Sequence, residues 1–235
     1  MIGVLVVCLI AIVGQEAVDA FRPKRPDVEL IVNVAFAQDL KGIARLKNLI
    51  VPVEEERIAI EANWIQKPEF KTFDQAANHS IHELETEVSG GIKLVNLEAG
   101  DAKEVAVAQR DLDYAQNNLN TLRRIREELS STSKIEPQKP RVRLSALKLD
   151  PNIVLFTKKS KSLLWKITSI SGATSEVIST YHLAYPMFSK DAKYACLCVC
   201  KTDCFPTSMF GAYFLARTRS GWKVAAESWE LTERN

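Results

Sequence analysis

The chain has 235 residues, 46% of them hydrophobic and 26% charged, with a formal net charge of +2. That is the composition of an ordinary globular protein and excludes the disordered and membrane-embedded classes. So small a charge gives no electrostatic basis for a nucleic-acid or membrane-surface partner.

Every residue from Ile2 to Val13 is apolar or glycine, and the run is followed by Ala17-Val18-Asp19-Ala20. The stretch has the length of a signal-peptide core and is too short for a spanning helix, which needs about 20 residues. Val18 and Ala20 satisfy the small-residue rule for cleavage, so residues 1–20 are expected to be a signal peptide and the mature chain to start at Phe21. Against this, no Lys or Arg precedes the apolar run. Loss of 1–20 removes Glu16 and Asp19 and no base, which raises the formal charge from +2 to +4. The expected location is exported, periplasmic or secreted, with no stable membrane anchor once the signal is cleaved.

From Asp27 to about Ser130 apolar residues recur at spacings of three and four, the period of one helix face. Residues 21–130 therefore read as a helical region. Phe36, Leu40, Ile43, Leu46 and Ile50 predict one helix; Ile58, Ala62 and Ile65 form one stripe, and Phe73, Ala77, Ile81, Leu84 and Val88 another. Gly90-Gly91 interrupts the pattern, and 92–97 reads as a short extended piece. Over 101–129 the seam Val105, Ala108, Leu112, Ala115, Leu119, Leu122 and Leu129 keeps alternating steps of three and four, with Arg126 in the seam and Ile125 beside it. Asp101 as N-cap and Glu104 as its capping-box partner would start this helix. A seam of this kind pairs helices. An internal hairpin or small bundle is the simpler reading; a protein partner or self-association through the 101–130 helix is the alternative, with Leu112, Leu119 and Leu122 as the pairing residues.

Residues 131–143 are rich in Ser, Lys and Pro and mark a linker. Beyond them the period falls to 2, which predicts strands at 153–157, 163–170, 177–183, 194–200, 211–217 and 222–230. Short connections such as Arg219-Ser220-Gly221 favour antiparallel hairpins. The expected class is α+β: a helical N-terminal half, then an antiparallel β-sheet over 144–235.

Four of the five cysteines, Cys196, Cys198, Cys200 and Cys204, fall within nine residues. In an oxidising compartment at least one disulfide is expected. Neighbours two apart on a strand lie about 6.6 Å apart with parallel side chains, a poor geometry for a disulfide. Lys201-Thr202-Asp203 can turn, so Cys200 and Cys204 are the expected pair. Cys196 and Cys198 remain as thiols or a strained pair, and four thiolates holding zinc are the alternative.

Only three histidines are present. His79 and His82, near Glu83 and Glu85, give a weak metal signal without the H-E-x-x-H order, and solvated histidines are the simpler reading. His182, in a strand, reads as a hydrogen-bonded sheet histidine. The chain lacks a G-x-S-x-G elbow, a phosphate-binding glycine loop and a G-x-G-x-x-G turn. No catalytic residue, resident metal or cofactor is therefore assigned, and the balance leans away from an enzyme. The aromatic residues in and beside the strands are expected to be core.

Pro186-Met187-Phe188-Ser189-Lys190-Asp191, Lys193-Tyr194-Ala195, the pair Cys200 and Cys204, Gly211 and Gly221-Trp222-Lys223-Val224 together resemble the C-terminal module of a group of small, uncharacterised exported bacterial proteins. The match covers about a fifth of the chain. In that group each Cys is usually followed by Gly, whereas Lys201 and Phe205 stand here. The resemblance implies an envelope or secreted location and a disulfide-closed hairpin, and no activity. The G-W-K-V-A-A ending is also similar to the last strands of nuclear-transport-factor-like proteins, which implies helices on a curved sheet around a pocket. The leading expectation is thus an exported, non-enzymatic binding or structural protein. The competing one is a small-ligand-binding or hydrolytic protein with a pocket between helices and sheet; a pocket lined by His182 with a nearby carboxylate would favour it, and a filled sheet face with an exposed Leu112-Leu119-Leu122 stripe would favour the first.

Overall fold

The computed structural model describes residues 24–37, 58–65, 70, 72–97, 102–130, 140, 142–151, 153–157, 180–189, 191–202 and 207–233. The signal-peptide, Asp101, Cys204 and 163–170 expectations, most of the helix predicted to begin at Phe36, and most of the 131–143 linker lie outside them.

Among the described residues three helices precede most of the sheet, which gives an α+β fold. Helix α1 (Arg25–Ala35) starts with Pro26 in its first turn, where the missing N–H costs nothing. Asp27 Oδ2 accepts from the Lys24 amide at 3.3 Å and holds the first turn. Its buried stripe is Val28, Ile31, Val32 and Ala35. Helices α2 (Phe73–Leu97) and α3 (Ala102–Ser130) form a hairpin. Phe73, Ala77, Ile81, Leu84 and Val88 of α2 are all buried, as the spacing predicts.

Two local expectations are corrected. Residues 92–97 are helix, continuous with α2 through Gly90-Gly91. A Cβ on Gly91 would sit 3.2 Å from Leu112 Cδ1 of α3, so the glycine permits close approach of the two helices and does not end one. Residues 58–61 are strand β1 (Ile58–Glu61), not helix. Ile58, Ala62 and Ile65 fit a helical spacing by coincidence, while Ile-Ala-Ile-Glu has the β-branched alternation of a strand.

The remaining strands among the described residues are β2 (Ile153–Phe156), β3 (Thr180–Leu183), β4 (Met187–Phe188), β5 (Tyr194–Thr202), β6 (Thr207–Thr218) and β7 (Gly221–Glu233). A 3₁₀ turn at Leu144–Ala146 precedes β2. The order across the sheet is β2-β1-β3-β5-β6-β7, and β4 pairs β5 beyond the end of β3. The pairings from β3 to β7 are antiparallel, as expected; β1 lies parallel to both β2 and β3, which makes the sheet mixed. A parallel neighbour needs a long crossover connection, and β1 satisfies this because α2 and α3 intervene before β2.

Alternation sends successive residues of each strand to opposite faces. One face, with Leu183, Leu197, Val199, Tyr213 and Leu215, packs on α1. The other, with Cys196, Cys198, Ala212, Phe214 and Ala226, packs on the α2–α3 hairpin. The result is three layers, helix on sheet on helical hairpin. The first layer is tied on by Asn33, whose side chain donates to the Lys148 carbonyl at 3.0 Å and accepts from the Asp150 amide at 2.9 Å. Trp64 Nε1 donates to the Val142 carbonyl at 2.7 Å. The second is tied on by Ser228, which donates to Ser80 at 2.6 Å within the buried interface.

Candidate functional site

On the hairpin-facing side of the sheet, register aligns a row of residues that apolar packing does not explain. His182 on β3 is the antiparallel partner of Cys200 on β5, Cys200 of Phe210 on β6, and Phe210 of Glu230 on β7. Directly opposed residues share a face, with β-carbons about 4.5–5.5 Å apart. The row extends to β1, where Glu61 Oε2 lies 2.5 Å from His182 Nδ1. Glu61 is itself paired in register with Phe156 of β2, whose ring meets the His182 ring edge-on at 6.3 Å.

Both members of this acid–imidazole pair are partly buried, with side-chain exposures of 26% for His182 and 15% for Glu61. In the tautomer that donates from Nδ1 to this carboxylate, the contact fixes the ring orientation and leaves Nε2 with a lone pair. Among the described residues nothing hydrogen-bonds to Nε2. A neutral imidazole so oriented is a proton acceptor, the arrangement used in general-base chemistry. Cys200, half-buried, stands beside it on the next strand.

At the far end of the row, His79 of α2 lies 2.9 Å from Glu230, Nε2 to Oε2. Glu83, one helical turn after His79, brings its carboxylate to the same point: the three ligand atoms lie within 4.8 Å of one another. The His79 ring is tilted against Phe70 at 5.0 Å, and Phe70 stacks edge-on with Phe210 at 5.3 Å.

The residues singled out from sequence fall as follows. Cys196 and Cys198 are buried in the core beneath the hairpin, their sulfurs 3.8 Å apart, well beyond a covalent S–S bond of about 2.05 Å. Burial, followed by the neighbouring Cys198 thiol, pushes the Cys196 thiol up, the condition of an unreactive thiol. The sole group of three or more metal-capable side chains found among the described residues contains no cysteine. His82 is exposed and is not part of the His79–Glu83–Glu230 group. Leu119 and Leu122 are buried against α2 and the sheet, and Leu112 packs at the margin of the same cluster. The strand aromatics Tyr181, Tyr185, Phe188, Tyr213, Phe214 and Trp222 are buried.

Sequence reading missed Glu61 and Glu230. Each lies more than a hundred residues from its histidine, and Glu61 sat in a segment read as helix. The local signal that was available is the His79–Glu83 spacing of four. No helix among the described residues is long and apolar enough to cross a membrane. No family model, curated protein or solved structure matches the chain.

Proposed function

We propose that this chain is an exported protein that binds a small polar ligand on the hairpin-facing side of its sheet, with His182 as proton acceptor and Glu61 as the group that orients it. The observation that carries the reading is the 2.5 Å contact between Glu61 and His182. A partly buried acid–imidazole pair is costly to desolvate, and apolar residues of similar volume serve a fold as well or better. Such a pair, still partly open to solvent, is placed where a ligand could reach it. A ligand hydroxyl or ammonium donating to Nε2 would gain a hydrogen bond, and a bound water in that place would be activated toward hydrolysis.

Export rests on the apolar run 2–13 and the small residues before Phe21. An oxidising location favours the proposed Cys200–Cys204 disulfide, which would pin the chain leaving β5 beside His182.

Ligand-observed NMR with a library of small hydroxylated and amino compounds tests the reading. Compounds that bind the native protein should bind His182→Gln and Glu61→Gln about 10- to 100-fold more weakly, the effect of losing a charge-assisted hydrogen bond. Absence of any binding compound, or unchanged affinity in both variants, contradicts it.

The partner-binding reading is supported by a different observation. Ile92 of α2 and Val107 of α3 are 48% and 49% exposed. A contact through 101–130 would use residues such as Val107 and not Leu119 or Leu122, which are buried in the core.

A further inference from the structure

His79, Glu83 and Glu230 have no part in the proposed ligand site, from which Cys200 and Phe210 separate them across the sheet. We infer that these three side chains form a binding site for one divalent transition-metal ion of the zinc class.

The geometry is close to what a metal requires. Four ligands about 2.0–2.2 Å from a tetrahedral ion stand about 3.4 Å from one another. The imidazole nitrogen and the two carboxylate oxygens already lie within 4.8 Å of one another, with His79 Nε2 and Glu230 Oε2 at 2.9 Å. The His79–Glu230 pair would open by roughly half an ångström and the Glu83 carboxylate would shift by about an ångström at most, movements that glutamate side-chain rotation supplies.

The site is also built in advance. His79 and Glu83 are four apart on α2 and share one face of a regular helix. Glu230 comes from β7, and the Ser228–Ser80 hydrogen bond at 2.6 Å ties these two elements together one residue from His79 and two from Glu230. Phe70 lies against the imidazole and restricts its rotation. A metal would replace the His79–Glu230 hydrogen bond without rearranging the backbone.

The donor set decides the class of ion. One neutral imidazole and two carboxylates balance a 2+ charge and suit zinc and its first-row neighbours, whereas calcium and magnesium prefer six or more oxygens or retained water. With three protein ligands, a fourth position is left for water or an external group. The exposures of His79 and Glu230, 29% and 34%, give an ion a route in from solvent.

Titration calorimetry of the chelator-treated full chain with zinc chloride tests the site, supported by cobalt(II) absorption. The expected result is one ion bound per chain at micromolar affinity or better, a rise in the thermal midpoint on saturation, and no comparable binding of calcium. Glu83→Gln leaves the His79–Glu230 contact intact and should lower zinc affinity at least tenfold. Glu230→Gln should do the same, with circular dichroism confirming that it is folded. Zinc binding that is absent, or that persists unchanged in both variants because the ion sits on the cysteines or His82, overturns the proposal.

Discussion

Gly211 and Trp229 are cross-strand partners on β6 and β7, and a Cβ at position 211 would lie 2.3 Å from the indole ring. The glycine is there to let an aromatic side chain lie flat over the strand, a constraint no local pattern announces. Two tyrosines show the reach of single side chains in another way. Tyr114 of α3 donates to Glu227 of β7, and Tyr194 of β5 donates to Glu128 of α3. Burial first, and then the glutamate that accepts the hydrogen bond, pushes each phenol up to about 12. The folded value lies above the unfolded value near 10, so the protonated phenols favour the fold. Their contribution is complete below pH 10 and is lost as pH rises toward 12. Urea midpoints measured between those limits should fall, and the fall should be smaller in Tyr114→Phe with Tyr194→Phe. A phenolate absorbance titration in which neither substitution removes a component near pH 12 would contradict the assignment.

At the scale of elements, the seam of α3 shows what periodicity can and cannot reveal. The steps Ala115, Leu119, Leu122 were legible and are buried, but the next buried residue is Ile125, while Arg126 is exposed. At this point the buried stripe passes through Ile125 and returns to the seam at Leu129. Leu122 is wholly buried, so Leu122→Ala should cost about 2–5 kcal/mol in urea unfolding. A loss below about 1 kcal/mol would mean that the hairpin is not seated on the sheet. The antiparallel strands β3, β5, β6 and β7 were likewise legible, since period-2 runs with short turns carry their own register; the two-residue β4 was not. Strand β1 was not, because four residues offer too little period to tell a strand from a helical stripe, and its parallel neighbours lie far away in sequence.

At the scale of the whole molecule, a mixed sheet carries one helix on one face and a helical hairpin on the other. α1 covers a face that is almost wholly apolar, whereas the hairpin face includes Glu61, His182, Cys200 and Glu230 in one cross-strand row. His182 was legible as a strand histidine, and its carboxylate partner was not: 121 residues separate the two, and only assembly of the sheet brings them together. Both polar clusters therefore belong to the tertiary fold, and each draws a carboxylate from a different strand. On the proposed reading, Glu61 and His182 are kept for a ligand and not for the fold. Equilibrium urea unfolding of the double variant Glu61→Leu with His182→Leu tests it most directly. Replacing both partners of a hydrogen-bonded pair by apolar groups of similar shape is nearly neutral, whereas removing one strands the other, so the double variant should be at least as stable as the native chain while each single change destabilises it. A double variant that loses about 3 kcal/mol or more would show that the pair holds the sheet together, contrary to this account.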